Sequence, residues 1–187
     1  MLDLLFSLDH QLLQLINQTW SNSFFDWLMP AITDLHKTSF FKVGLVPFIF
    51  CLMIRAKGFS SGAKFFLLLL FTLGLSDFTG NQLFKKNFER LRPGDNPIVE
   101  VTVRSSYGGY SFTSNHSTNM AAAATFTWFF FPRAFLPMLL LALSVMYSRV
   151  YNGVHFPSDV IAGALWGVLI TSIIAFFVKR KATKANT

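Results

Sequence analysis

Long apolar segments separated by short polar ones are the feature that most constrains the fold of this chain. An α-helix needs about 20 apolar residues to cross the hydrocarbon core of a bilayer, which is about 30 Å thick. Charged residues make up only 13% of the 187 residues, against roughly 25% in soluble domains. The sequence therefore predicts an all-α integral membrane protein, a helical bundle that forms a single domain over residues 1–187. Its five predicted transmembrane helices cover residues 39–56, 61–84, 116–131, 134–148 and 159–178.

The first 38 residues differ from these spans. Residues 1–20 place leucines near helical spacing, but Asp3, Asp9 and His10 interrupt them. An amphipathic helix that lies in the membrane interface fits this pattern best, and a short sixth span remains an alternative. Residues 21–38 add further polar side chains, with tryptophans nearby that suit an interface. Residues 1–38 are thus predicted to form an interfacial N-terminal segment.

Charge predicts the orientation of the helices. The formal net charge is +7, but much of the excess lies beside apolar segments, so we expect no nucleic-acid partner. Residues 85–115 and 149–158 are predicted to share the outer face, and an anion-binding site there accounts for the cations in the first of these loops. The positive-inside rule places on the cytoplasmic side a set of cations without acidic neighbours, namely Arg55, Lys57, Lys64, Arg133, Lys179, Arg180, Lys181 and Lys184.

One polar stretch between two apolar segments, residues 148–159, contains three chemically useful side chains. The guanidinium of Arg149 matches the geometry of a phosphate. The imidazole of His155 can act as a nucleophile or as an acid or base near neutral pH, and the carboxylate of Asp159 can orient it. Taken alone, a histidine and an aspartate at this spacing are as consistent with a structural hydrogen bond or half of a metal site as they are with a catalytic pair.

The polar loop over residues 85–115 adds further groups to the same face. It contains Lys85 and Arg92, and it ends with Ser114 and Asn115 before His116 and an apolar helix. Backbone N–H groups at a helix start point toward a bound anion, and a serine hydroxyl can add a donor. Cations, a serine, two histidines and a carboxylate together suit a phosphoryl group, with one histidine to attack and the other to protonate the leaving oxygen.

The spacing of these residues resembles the signature of the type 2 phosphatidic acid phosphatase family, which shares its core with the vanadium haloperoxidases. Residues 85–93 match the first motif, K-x6-R-P, and residues 148–159 match the third, S-R-x5-H-x3-D. The second motif, P-S-G-H, is T-S-N-H over residues 113–116. We expect the phosphate pocket to survive Asn115, because asparagine is the residue after glycine that best tolerates a left-handed conformation. The resemblance covers residues 85–159.

The resemblance implies a role for each motif residue. His155 is the expected nucleophile, which forms a phosphohistidine, and Asp159 orients it. His116 is expected to protonate the leaving group and then to activate water. The family implies neither a metal ion nor another cofactor, and the single cysteine, Cys51, excludes an internal disulfide and a cysteine-rich metal site. The expected phosphate-binding residues are Lys85, Arg92, Ser114, Asn115 and Arg149.

The resulting functional prediction is a metal-independent membrane phosphatase with a phosphorylated lipid as its partner. The chain resembles small bacterial members, so we expect it in the bacterial inner membrane with its site facing the periplasm or exterior. Undecaprenyl diphosphate, or a similar lipid diphosphate, is the favoured substrate. Phosphatidylglycerol phosphate, phosphatidic acid and lipid A 1-phosphate are the alternatives. A haloperoxidase is disfavoured because those enzymes are larger and soluble, and a lipid-binding or transport protein because the motif set is intact. The oligomeric state is left open.

Four other charges have structural interpretations. Lys86, Arg90 and Arg104 are interpreted as solvated loop charges or contacts to a lipid headgroup. Asp77 lies inside the second apolar helix, where an ionisable group is costly. We interpret it as the structural partner of a motif cation.

Overall fold

The computed structural model describes residues 2–185, and every regular element in that range is a helix. The predicted all-α class is therefore confirmed. Met1, Asn186 and Thr187, at the ends of the predicted domain, lie outside the described residues. The α-helices are α1 (Leu2–Gln14), α2 (Ser23–Asp34), α3 (Val46–Lys57), α4 (Phe59–Gly80), the single turn α5 (Lys86–Phe88), α6 (Asn115–Phe130), α7 (Phe135–Tyr151) and α8 (Pro157–Ala185).

Three helical stretches within residues 2–185 are long and apolar enough to cross a membrane. They cover Phe59–Asp95, Pro132–Tyr151 and Pro157–Lys184. A bent pair, Ser23–Lys37 and Phe40–Lys57, meets at 57° and would count as a fourth if it forms one broken span. The protein is thus an integral membrane helical bundle, and the number of five spans stays a prediction.

Helix α6 is the centre of the bundle and packs against α4, α7 and α8. Its 16 residues give a length of about 24 Å at 1.5 Å per residue. Two glycines on α8 allow the close crossing with α6. A Cβ at Gly163 would lie 2.5 Å from the carbonyl oxygen of Ser114, and one at Gly167 would overlap the carbonyl oxygen of Thr118. This small-x3-small pattern brings the first turn of α8 beside the start of α6.

The N-terminal segment is docked onto the loops of the polar end. Leu13 of α1 is fully buried in a cluster with Val150, Phe156 and Val160. The buried side chain of Asn17 donates to the carbonyl oxygens of Thr102 and Tyr151, at 2.8 and 2.6 Å. The N-terminal segment, which the sequence predicts to be interfacial, therefore also holds the polar loop at Thr102 and the end of α7 at Tyr151.

The opposite end of the bundle is basic and aromatic. Met53, Phe126 and Phe130 form a second buried cluster with Ala175. Lys57 lies over the ring of Phe131, with its Nζ 5.5 Å from the centroid, and the Nζ of Lys179 lies 4.9 Å from the ring centroid of Phe129. Because α6 runs from the polar end to this cluster, the motif residues and the basic cluster lie at opposite ends of the molecule.

Candidate active site

A tight turn between α7 and α8 positions His155. Gly153 has a φ of 69°, which favours glycine. A Cβ there would also lie 2.6 Å from Val101 and 2.7 Å from the carbonyl oxygen of Thr102. Pro157 begins α8, where its fixed φ suits the first helical turn. The chain therefore leaves α7, reverses at the glycine and delivers His155 beside the start of α8.

The hydrogen bonds of His155 define which ring nitrogen carries the proton. The Nη1 of Arg92 lies 3.1 Å from Nε2 of His155. Arginine only donates, so Nε2 is the nitrogen with the lone pair and accepts this hydrogen bond. The proton belongs on Nδ1, which lies 3.4 Å from Ser111 Oγ and 3.5 Å from Asp159 Oδ2. This tautomer leaves Nε2 as the nucleophilic atom.

Both carboxylate oxygens of Asp159 are held by hydrogen-bond donors. Oδ2 accepts a short hydrogen bond from Ser111 Oγ and another from the backbone N–H of Phe156, at 2.9 Å. Oδ1 accepts from Arg90 Nη1 at 2.7 Å. Because Asp159 is fully buried, these donors compensate for the water that the carboxylate has lost. They also limit its rotation beside the imidazole.

Burial keeps His155 neutral. The loss of solvation lowers its pKa to about 4, although Asp159 acts in the opposite direction, and the charge of Arg92 lowers it further. A histidine needs its lone pair to attack phosphorus, so the neutral form is the reactive one. The site therefore provides this form at neutral pH.

The guanidinium of Arg92 is largely committed to the protein. Its Nε and Nη2 donate to the carbonyl oxygens of Gly109 and Gly108, at 2.8 and 2.9 Å. Its Nη1 donates to the carbonyl oxygen of Val154 at 2.8 Å as well as contacting His155. Arg92 thus joins the polar loop to the turn that carries His155, and one Nη2 hydrogen remains for an incoming oxygen.

A pocket of about 340 Å³ opens beside His155. Four cations and one carboxylate line it, so the pocket suits an anion. The structure brings together six of the eight predicted site residues at this pocket, whereas Ser114 and Asp159 are not in its lining. The lining residues are Asp34, Lys37, Lys85, Arg92, Ser106, Tyr107, Gly108, Asn115, His116, Arg149 and His155.

Two buried nitrogens of this pocket have no hydrogen-bond partner among the described residues. One is Nε2 of His116 and the other is Nε of Arg149. The remaining contacts of these side chains orient them: Arg149 Nη1 donates to Thr33 Oγ1 at 2.6 Å, and the ring of His116 meets the ring of His36 at 5.0 Å. A buried polar atom without a partner is costly, and a phosphoryl oxygen or a leaving-group oxygen would satisfy both nitrogens.

Ser114 and Asn115 have positions that the motif alone does not reveal. Ser114 is fully buried and caps α6, with its Oγ accepting from the backbone N–H of Ser117 at 3.4 Å. Asn115 lines the pocket, and its Nδ2 donates to Oδ1 of Asn81 at 3.2 Å. Asn81 in turn donates to Asp77 at 3.2 Å. The hydrogen bonds of Asp77 thus come from side-chain amides. Its charge also acts on Lys85, so Asp77 is an electrostatic partner of a motif cation, as expected.

Several residues at the site were not predicted. Arg90, expected in solvent or at a headgroup, is instead paired with two carboxylates. Arg104, from the same expectation, pairs with Asp26 at 2.7 Å. Ser111 lies just before the second motif, but its partner Asp159 is 48 residues away, so no local pattern marks the contact.

The family of the chain follows from comparison with known proteins. The model of the PAP2 superfamily matches residues 65–182, which is more than half of the sequence. This chain belongs to the PAP2 superfamily. The matched region contains all three motifs and every predicted site residue, so the resemblance read from the motifs is confirmed.

Several relatives of the chain are named as lipid phosphatases. The chain is 32% identical over 177 residues to phosphatidylglycerophosphatase B of Bacillus subtilis, which is 87% of this chain and 78% of that protein. It is 34% identical over 107 residues to lipid A 4'-phosphatase of Porphyromonas gingivalis, or 54% of this chain. That match spans 45% of the Porphyromonas protein, so the chain covers less than half of its length.

A solved structure agrees with the fold over nearly the whole chain. The crystal structure of a transmembrane PAP2-type phosphatidylglycerolphosphate phosphatase from Bacillus subtilis has a TM-score of 0.72 and 26% sequence identity. The match covers 95% of this chain and 87% of that chain. These similarities support a membrane lipid phosphatase of the PAP2 type.

Proposed function

We propose that this protein hydrolyses a lipid phosphate or diphosphate through a phosphohistidine formed on Nε2 of His155. The observation that carries the proposal is the hydrogen bond from Arg92 to that atom, 3.1 Å long, in a pocket whose lining includes four cations and one carboxylate. Arginine identifies Nε2 as the nitrogen with the lone pair, and the cations offer the charge that the phosphoryl oxygens need.

The proposed reaction has two displacements at phosphorus. His155 Nε2 forms a bond to phosphorus while the bond to the leaving oxygen breaks. His116 gives a proton to that oxygen from its imidazolium form, which the negative charge of the bound phosphate must stabilise because burial lowers the pKa of His116 to about 3. The positive charge on the phosphorylated imidazole is stabilised by Asp159. His116 then takes a proton from water, the resulting hydroxide forms a bond to phosphorus, and the P–N bond breaks. Inorganic phosphate leaves, and both histidines return to their starting states.

Protein cations take the part that a metal ion has in many phosphoryl transfers. Lys85, Arg92 and Arg149 line the pocket, and we assign them to the equatorial oxygens of the phosphoryl group. Ser114 contributes through its cap, which fixes the start of α6. Asn115 contributes from the pocket wall. The proposed mechanism therefore needs no metal ion.

Lys37 motivates the choice of a lipid diphosphate, with undecaprenyl diphosphate as the reference compound. Its Nζ pairs with Asp34 at 2.7 Å and donates to Ser106 at 3.0 Å in the pocket wall. A second phosphate next to the reactive one would give this ammonium an additional partner. The alternatives are lipid phosphomonoesters, which are favoured by the names of the Bacillus subtilis and Porphyromonas gingivalis relatives.

We also propose that the site faces the periplasm or exterior from a bacterial inner membrane. The motif residues and the basic cluster around Lys57 and Lys179 lie at opposite ends of α6. Basic residues favour the cytoplasmic side.

The proposal is tested with the full chain purified in detergent and a panel of four substrates: undecaprenyl diphosphate, phosphatidylglycerol phosphate, phosphatidic acid and lipid A. We expect phosphate release from the diphosphate with the highest kcat/KM, and undiminished activity in excess EDTA. His155→Ala should abolish turnover. Lys37→Met should lower kcat/KM for the diphosphate by about tenfold, or roughly 1.4 kcal/mol, and affect the monoesters less. Lys86→Met is the matched control, because Lys86 is exposed and outside the pocket lining.

Each arm has its own contradicting result. Turnover by His155→Ala within tenfold of the parent would remove this residue from the nucleophile position. If activity is lost in EDTA and restored by magnesium or zinc, the reaction needs a metal ion and the metal-free mechanism is wrong. If the parent protein prefers a monoester and Lys37→Met has no selective effect on the diphosphate, the substrate is a lipid phosphomonoester and not a diphosphate. If no phosphate is released from any of the four lipids, the proposal that the protein is a lipid phosphatase is wrong.

A further inference from the structure

The N-terminal helix is linked to Asp159 through a chain of charged side chains. Asp9 of α1 has only 6% of its surface exposed. Its Oδ2 accepts from Arg90 Nη2 at 2.6 Å, and the Nη1 of the same guanidinium donates to Oδ1 of Asp159 at 2.7 Å. Two carboxylates from distant parts of the sequence thus share one arginine.

Ser158 joins the same two groups a second time. Its backbone N–H donates to Oδ1 of Asp9 at 2.8 Å, and its hydroxyl donates to Oδ2 at 2.6 Å. The hydroxyl also accepts from Arg90 Nη1 at 2.7 Å. Asp9 therefore accepts three hydrogen bonds, and two of them come from the first turn of α8, where Asp159 lies. A carboxylate at a helix N-terminus is also favoured by the helix dipole.

The arginine is held in a single orientation. Its guanidinium lies over the ring of Phe156, with Cζ 4.0 Å from the centroid, and His10 stacks on the same ring at 5.4 Å. The ring belongs to the residue that follows His155, and the backbone N–H of Phe156 donates to Asp159. The orientation of Arg90 is thus coupled to the turn that carries the nucleophile.

We infer that Asp9 and Arg90 are positioning residues for the reaction: Asp9 orients Arg90, which fixes Asp159 in the geometry that serves His155. This inference rests on the proposed function. It assigns a part in the chemistry to the N-terminal helix, which lies outside the three motifs. Neither residue lines the pocket, so both act through Asp159.

The paired charges also make the inference measurable, because they have opposite signs. Removal of Arg90 leaves the negative charge of Asp9 near the imidazole and stabilises its protonated form. Removal of Asp9 leaves the positive charge of Arg90 and destabilises that form. The other charged or titratable neighbours of His155 are the same in all variants, namely Asp159, Arg92, Arg149 and His116, with Lys85 near Asp159. A helix-docking role alone would produce no such opposition.

The experiment measures the pH dependence of kcat/KM for the parent, Arg90→Gln, Asp9→Asn and the double variant, all as full chains in detergent. The acid limb reports protonation of the nucleophile. We expect Arg90→Gln to shift the acid limb to higher pH by about one unit and Asp9→Asn to shift it to lower pH. The double variant should lie between them. Substrate ionisation is common to all four proteins and cancels in the comparison. At the pH optimum kcat should fall about tenfold or more in each single variant, with KM unchanged.

A matched control and a direct titration complete the design. Asp26→Asn breaks the pair with Arg104, which also joins the N-terminal segment to the polar loop but does not contact Asp159, and it should leave the acid limb in place. The NMR titration of His155, assigned by its absence in His155→Ala, should show the same opposite shifts without substrate. It tests the charge coupling even if the panel reveals no phosphatase activity.

If the acid limb shifts in the same direction in both single variants, or does not shift while kcat falls, the Asp9–Arg90 pair is only a structural contact. Unchanged kcat in both variants would overturn the inference as well. If one single variant unfolds, the other single variant and the double variant retain the comparison with the parent. A shift of the expected sign in the remaining single variant, reversed at least in part in the double variant, supports the inference, and no such shift overturns it.

Discussion

His155 and His116 line the same pocket but have opposite hydrogen-bond environments. Both ring nitrogens of His155 have partners, Arg92 on one side and Ser111 with Asp159 on the other. Nε2 of His116 has none among residues 2–185. A nucleophile needs a fixed direction, whereas a proton donor needs an open position toward the group that leaves. The two environments match the division of labour that we propose.

This division predicts how a leaving group changes the effect of each histidine. A lipid alkoxide is a poor leaving group and needs a proton, whereas a nitrophenolate leaves without one. His116→Ala should therefore slow the first turnover of an alkyl phosphomonoester by about 10²-fold or more and that of an aryl phosphate far less. The measurement is single-turnover cleavage of the alkyl ester beside a pre-steady-state trace with the aryl ester. The aryl trace should show a burst followed by slow turnover, because hydrolysis of the intermediate still needs His116 as the base.

His155→Ala is the control, because loss of the nucleophile should slow both esters alike. Equal first-turnover losses for His116→Ala on the two substrates would show that this residue is not the proton donor.

Motif spacing predicted which residues meet at the pocket, but not what holds them there. Lys85, Arg92 and His155 are recognisable because the family pattern fixes their distances along the chain. Asp9 is 149 residues from Ser158 in sequence, and no periodicity links one helix to the first turn of another. Side-chain partners across such separations depend on the packing of whole helices, which a local pattern does not contain.

At the element scale, the contact between α6 and α8 determines the geometry of the site. The backbone N–H of Ser114 donates to the carbonyl oxygen of Asp159 at 3.1 Å, so the second and third motifs are directly joined. The glycines at positions 163 and 167 permit this approach. The apolar pattern predicted both ends of α6 and the start of α8 to within two residues, whereas α8 continues to Ala185, seven residues past the predicted end at residue 178. The pattern did not reveal which faces meet, because both helices are apolar around most of their circumference.

Gly167→Ala should separate these helices. The added Cβ would overlap the backbone of Thr118, and overpacking of this kind costs about 1–3 kcal/mol. We expect a lower midpoint of thermal unfolding in detergent and a loss of kcat, since His116 would move relative to His155.

The matched control is Gly74→Ala in α4, where an added Cβ has no neighbour within 4 Å. It should leave activity unchanged and stabilise the helix slightly, since alanine is the better helix former by roughly 0.5–1 kcal/mol. If both alanine variants unfold at the same temperature as the parent, the proposed close crossing is not a packing constraint.

Over the whole molecule, the two ends differ in chemistry, and this difference is the basis of the proposed orientation in the membrane. One end has the phosphate pocket and the long polar loop, and the other has the aromatic cluster with its cations. The apolar segments and their flanking charges were enough to predict this polarity. They did not predict that residues 23–37 form a helix bent by 57° against residues 40–57, because Pro30 and the polar side chains of that segment hide its apolar face.

The different chemistry of the two ends predicts which single cysteines a reagent can reach from outside intact cells. Glu100 is exposed on the polar loop, and Lys181 is exposed near the end of α8. In a Cys51→Ser background, which removes the native thiol, Glu100→Cys should react with a membrane-impermeant maleimide in intact cells. Lys181→Cys should react only after the cells are opened. Labelling of Lys181→Cys but not Glu100→Cys in intact cells would invert the orientation and place the pocket on the cytoplasmic side, where it would meet a different leaflet and a different set of lipid phosphates.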